Sequence, residues 1–291
     1  MGTFVLGMAI FFVSSEWLIS TRVAPHSGEG AYREHLHTSD KAYAVFADSH
    51  GANGLRPTKQ LENLSQQGDN IITVLEKALF VAQRGRLKGV VLQADPHHFA
   101  IYRLNRDQAD LRDDLFAPEE PWLTFLRPQY RRYLLNYWKG FIFEQHFGLR
   151  KTAPRSPADT GIKQLTDQAP DQVRAASSAR ASLHRPVPNI AETKAARLYH
   201  QTISKLLALG VKVCLVSFPV SSHYLESSKS DASYLNAMNF FARLGQDYPV
   251  TYLDRRSHFE DQYFSDPDHL NPTGAERMTA QTLQDCFGIQ E

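Results

Sequence analysis

The chain has 291 residues, enough for one large α/β domain carrying an insertion. Its 32 lysines and arginines against 31 aspartates and glutamates leave a formal charge of +1, which excludes the basic bias of a nucleic-acid binder, so no nucleic-acid partner is expected. The two cysteines, Cys214 inside an apolar run and Cys286 near the C-terminus, exclude a disulfide scaffold and a cysteine metal cluster, and read as core thiols.

Residues 1–22 contain "TFVLGMAIFFVSSEWLIS", uncharged until Glu16 and without a basic residue until Arg22. This marks a candidate signal or membrane anchor, shorter in its apolar stretch than the ~20 residues of a spanning helix. A buried N-terminal helix is the alternative. Residues 23–40, with "PHSGEG", form a polar connector, and the body begins at residue 41. There "YAVFA" reads as a buried strand ending at Asp48. "GDNIITVLEKALFVAQRG" places Ile72, Leu75, Leu79 and Ala82 on one helical face, with Asp69 set to cap its first turn. "KGVVLQAD" is the next strand, so residues 43–95 make a β-α-β unit with parallel strands.

Residues 97–190 interrupt this grammar. "LRPQYRRYLLNYWKGFIFEQHFG" carries Tyr130, Leu134, Tyr137 and Phe141 on one face and Arg131, Arg132 and Lys139 off it. That pattern fits the packing face of a lid, or a helix touching a membrane surface or an anionic glycan. Residues 152–190, rich in Pro, Ala, Ser and charge, read as a mobile loop. Helix and strand then alternate again. Tyr199, Ile203 and Leu206 share a helical face that stops at Gly210 before "VKVCLVSF"; a further helix leads to "PVTYLD"; and Asn271 with Pro272 starts a closing helix. The expected fold is a three-layer α/β/α sandwich with a parallel, flavodoxin-like sheet and a helical or disordered insertion.

The chemistry centres on "AVFADSHGANGL". Asp48, His50 and the later Gly68 and Asp69 resemble the opening of calcineurin-like metallophosphoesterases, but the chain has "DPHH" at 95–98 where that family needs Gly-Asn-His-Asp/Glu, and it has no late His-x-His. The alternative nucleophile, Ser49, finds partners in "YFSDPDHLNPTG", where Asp266 and His269 stand in Asp-x-x-His spacing before the last helix. One short loop can then supply an imidazole aimed at the serine and a carboxylate that orients it. A serine at the C-terminal end of a strand also sits where open α/β sheets place their ligands.

On these residues the chain resembles the SGNH/GDSL hydrolase superfamily. "ADSH" matches the Gly-Asp-Ser block with Ala47 in place of Gly, Gly68 in "NLSQQGDNI" stands where the second block supplies an oxyanion-hole glycine, and Asp266 with His269 matches the last block. The third block, Gly-x-Asn-Asp, has no counterpart. "VVLQADPHHF" stands there, with Gln93, Asp95 and His97 near the position, and the Gln93 amide or the His97 N–H able to donate to an oxyanion where an ionised Asp95 is not. The resemblance implies a triad of Ser49, His269 and Asp266, an oxyanion hole from Ser49, Gly68 and Gln93, and Asp48, His50 and His97 in the substrate pocket. It implies no metal or organic cofactor. The divergent, membrane-anchored branch that modifies cell-surface polymers is the nearest likeness. The expected activity is an extracytoplasmic serine esterase or O-acyltransferase acting on small acyl esters of a polysaccharide, with a membrane acyltransferase as a possible partner. A non-catalytic glycan-binding or assembly protein on the same fold is one alternative, and a calcineurin-like metallophosphoesterase is the other.

Overall fold

The computed structural model describes residues 2–18, 28–106 and 164–290. Two helices, α1 (Gly2–Leu18) and α2 (Gly28–Thr38), belong to one compact unit, and the α/β body, residues 39–112 with 162–291, forms another. Helix α1 is apolar all round, and it exposes Val5, Leu6, Ile10, Phe11, Val13 and Trp17. Among the described residues no helix is long and apolar enough to cross a membrane. Part of the expected connector is helical, since α2 lies within it.

In the body, β1 (Tyr43–Phe46), β2 (Leu61–Asn63), β3 (Gly89–Gln93), β4 (Lys212–Ser217) and β5 (Thr251–Asp254) form one parallel sheet in the order β2-β1-β3-β4-β5. This is the flavodoxin-like order. The central strands are β-branched and apolar because both of their faces are covered. Val45 pairs with Val91, and Val91 with Cys214, all three fully buried. The short α3 (Ser49–Gly54) follows β1, and α4 (Ile71–Ala82) crosses from β2 to β3. Beyond α5 (Ile101–Arg106), residues 164–290 contain α6 (Pro170–Leu183), α7 (Lys194–Ala208), α8 (Ser222–Ser228), α9 (Ala232–Asp247) and α10 (Pro272–Phe287). Helix α4 packs on β1, β3 and α7. Val45, Cys214 and Val216 instead pack with Met278 and Leu283 of α10, so helices cover both faces of the sheet and the expected α/β/α sandwich is present.

Several local expectations are corrected. Asn70, not Asp69, caps α4, its side chain accepting from the Thr73 N–H at 2.9 Å. Asp69 turns inward to pair with the fully buried Lys77, which also donates to the Leu64 carbonyl at 3.1 Å. Residues 170–183, expected as loop, are helical. Val173, Ser177 and Ala181, spaced by four, form a buried face whose small side chains let α6 sit close to α8. The two cysteines are not free thiols: Cys214 on β4 and Cys286 on α10 form a disulfide, with Cα atoms 5.6 Å apart. The basic-aromatic helix expected around Tyr130 to Phe141 lies outside the described residues.

Candidate active site

Strand β1 runs out at Phe46, and the chain turns at once into α3, with Asp48 as its N-cap and Ser49 at its first helical position. Glycine permits so tight a turn. A Cβ on Gly51 would lie 2.3 Å from the Ala47 Cβ, and one on Gly54 would lie 2.9 Å from the Phe218 ring. Asn63, the last residue of β2, steadies the short helix by donating to the carbonyls of Gly51 at 2.9 Å and Leu55 at 2.7 Å. The half-buried Ser49 is thereby held at the C-terminal edge of the sheet.

The second half of the site is a two-stranded hairpin, β6 (Phe264–Asp266) with β7 (His269–Leu270), in which Asp266 is paired with His269. Asp266 Oδ1 accepts the backbone N–H groups of Asp268 at 3.1 Å and His269 at 3.0 Å, so the turn shapes itself around this carboxylate. His269 Nδ1 donates to both Asp266 oxygens at 2.9 Å. This fixes the tautomer with Nε2 as acceptor, and Nε2 is buried with no partner among the described residues. Ser49, Asn53, Gln67, Ser265, Asp266 and His269 line one open cavity of about 280 Å³. The three residues expected as a triad thus line one cavity, with no hydrogen bond between His269 Nε2 and Ser49.

The expected oxyanion donors fare differently. Gly68 lies in an exposed turn at φ +82°, a left-handed conformation that favours glycine; its neighbour Gln67, not Gly68, lines the cavity. Gln93 is fully buried, and both hydrogens of its amide are spent, one on Asp48 Oδ1 at 2.9 Å and one on Asp95 Oδ2 at 2.6 Å. Its Oε1 accepts the Asp48 N–H at 2.8 Å. Gln93 therefore holds the base of the turn that carries Ser49 and has no donor left for an oxyanion.

Asp48, His50 and His97, expected in the substrate pocket, do not line the cavity that holds Ser49 and are all buried. The Asp48 carboxylate accepts from Gln93, from the His50 N–H at 2.9 Å, from His97 Nε2 at 2.8 Å and from Arg103 at 2.6 Å. Burial alone would raise its pKa, but His97, His50 and Arg103 hold it well below the usual carboxylate range. His50 donates from Nδ1 to Asp95 at 2.8 Å and from Nε2 to Asp268 at 3.2 Å. Burial opposes charge on this ring, yet Asp95 and Asp268 carry its pKa well above the ordinary histidine value. The neighbouring histidines go the other way. Burial lowers His97 and, more strongly, His98, and it pushes His184 down to about 2 with help from His97.

Three parts of this network are not singled out by the sequence: Asp268, Arg103 and His184. Asp268 is embedded in the same "SDPDH" as Asp266 and His269, but nothing there shows that its side chain turns inward. Arg103 and His184 sit in the interrupted region, and no local pattern points to them.

His50, His97 and His184 each bring a ligand atom within 4.8 Å of the others, as do His50, Asp268 and His269. Both ring nitrogens of His50 face carboxylates, those of Asp95 and Asp268, so a metal at either cluster would have to displace one of these contacts. Asp48 and His50 do not fit as metal ligands of a phosphoesterase, since the Arg103 guanidinium already neutralises Asp48. No protein-family model matches the chain, and no curated protein is significantly similar to it.

Proposed function

We propose that this protein is a serine esterase or O-acyltransferase of the SGNH type that handles small acyl esters on a polysaccharide, outside the cytoplasm and close to a membrane. The observation that carries this reading is His269: its Nδ1 is held by Asp266, and its Nε2, without a partner among the described residues, belongs to a residue sharing a cavity wall with Ser49.

In this mechanism Ser49 Oγ attacks the acyl carbonyl while His269 Nε2 takes its proton, and Asp266 stabilises the resulting imidazolium. The tetrahedral intermediate collapses when His269 returns that proton to the leaving oxygen. Water or a sugar hydroxyl then repeats the sequence on the acyl-enzyme, giving hydrolysis or transfer. The Ser49 N–H at the start of α3, which has no acceptor within its own helix, is the first oxyanion donor. The second is the side-chain amide of Gln67, on the cavity wall. Asn53, Gln67 and Ser265 give the cavity a polar lining suited to hydroxyl-rich ligands and short acyl groups.

Two features support an extracytoplasmic place. The Cys214–Cys286 disulfide suits an oxidising compartment, and the exposed apolar α1 suits a membrane signal or anchor. A membrane acyltransferase that delivers the acyl group is a partner consistent with this setting. The test is turnover of aryl acetates and of acetylated polysaccharide by the wild type and by Ser49→Ala. Loss of both activities in the variant supports the reading, and an inactive wild type that binds glycan supports a non-catalytic role on the same fold.

A further inference from the structure

Ser49 and His269 each have a buried neighbour, and the two neighbours are paired. His50 follows Ser49 on α3, Asp268 precedes His269 in the hairpin, and His50 Nε2 lies 3.2 Å from Asp268 Oδ2. On its other side His50 Nδ1 lies 2.8 Å from Asp95 Oδ2. An ionised carboxylate only accepts, so a ring between two of them must carry both N–H groups. The charges around it agree. Asp48, Asp95 and Asp268 are balanced by His50, by Arg103 on Asp48, and by Arg180, whose Nε is 3.3 Å from Asp268 Oδ1. His97 and His184, which also face His50, are pushed towards neutrality by burial. Asp268 Oδ1 is in turn 3.7 Å from His269 Nδ1, and the His50 and His269 rings meet edge to face at 5.3 Å.

We propose that His50 is a positioning residue, a buried imidazolium that ties the nucleophile helix to the acid–base hairpin through Asp268 and sets the electrostatic field at His269. The inference rests on the triad reading above. Mechanically, the pair joins segments 218 residues apart in sequence immediately beside the reacting groups. Electrically, His269 feels the carboxylate of Asp268 and, behind it, the compensating charge of His50. Removing either charge should shift the protonation of the general base, in opposite directions.

The experiment is the pH profile of kcat/KM on an aryl acetate, with the rate of fluorophosphonate labelling, for the wild type, His50→Gln, Asp268→Asn, the double variant and Ser49→Ala. His50→Gln is expected to lower kcat by about 10- to 100-fold with KM little changed. Its acidic limb should move up by about one pH unit, because Asp268 is left without its cation, while Asp268→Asn moves that limb down by a similar amount. The double variant should lose no more than the worse single one. A His50→Gln enzyme with wild-type kcat and profile overturns the proposal, as do limbs that move in the same direction in both single variants. Stoichiometric zinc bound through His50 overturns it too, since a ligating ring must surrender a proton. Should His50→Gln fail to fold, Asp268→Asn decides alone, and an unmoved acidic limb refutes the proposal. Ser49→Ala separates the two levels: if it stays active the triad itself falls, whereas an inactive Ser49→Ala beside an unchanged His50→Gln removes only the role of His50.

Discussion

His269 and Asp266 are joined twice, with one Nδ1–H facing both carboxylate oxygens at 2.9 Å inside a hairpin that the same carboxylate shapes. In Asp266→Asn the amide oxygen can still accept the backbone N–H groups, but the amide nitrogen meets the imidazole donor and favours the wrong tautomer. The rate on an aryl acetate should fall by roughly 10³- to 10⁴-fold. The melting temperature should change little, because the Asp266 side chain is 34% exposed. Steady-state kinetics paired with a thermal melt checks both halves.

Gln93 is a neutral amide inserted between Asp48 and Asp95, donating to each. Gln93→Glu keeps the shape and places a third carboxylate among them in a fully buried position. The expected cost is about 3–5 kcal/mol in urea denaturation, the range for an uncompensated buried charge. A loss of under about 1 kcal/mol would mean that this network is not packed as described.

Much of the fold is legible in the sequence, because parallel strands covered on both faces must be apolar: β1, β3 and β4 stand out as runs such as "VVL" and "VCLV". Strand β2 does not stand out, because "LEN" has three residues, two of them polar. Helix α6 was hidden for a different reason. Its packing face is built from Val173, Ser177 and Ala181, which lack the bulk that marks a core yet allow close approach to α8. In the site, spacing identifies Asp266 and His269 because their relationship is local. His50 with Asp268 and Asp48 with Arg103 are tertiary pairs, and no local pattern predicts which way their side chains turn.

Acid should destabilise the fold before the carboxylates titrate. His184 stays neutral in the folded protein, its pKa pushed to about 2, whereas an unfolded histidine titrates near 6.5. Between those values the unfolded chain binds the extra proton, so stability is full above about pH 6.5 and falls as the pH drops below it. His97 and His98 act with the same sign. Asp48, with its lowered pKa, contributes above the ordinary carboxylate value and loses that contribution as the pH falls through its folded value. His50 acts oppositely: its contribution is full below about pH 6.5 and is lost as the pH rises through its raised value. His98 is fully buried, and neither ring nitrogen has a partner among the described residues. His98→Leu should therefore add about 1–2 kcal/mol at pH 7 and roughly 2 kcal/mol more at pH 5. Urea denaturation at the two pH values reads this directly; a gain that is the same at both would contradict the lowered pKa of His98, and no gain at pH 7 would show that the ring is satisfied.

The Cys214–Cys286 bond closes a separation of 72 residues between a central strand and the last helix. Loop-closure entropy gives it about 4 kcal/mol. Cys286→Ala, or reduction of the wild type, should lower the urea midpoint accordingly. No shift on reduction would mean that the cysteines are unpaired in the folded protein.

The most direct test of the central claim is intact-protein and peptide mass spectrometry after treatment with a fluorophosphonate. The triad predicts one phosphonyl adduct per chain, located on Ser49, formed rapidly in the wild type and lost in Ser49→Ala, and slowed by orders of magnitude in His269→Ala. No adduct on the folded wild-type protein, or an adduct on another residue that survives in Ser49→Ala, would contradict the account.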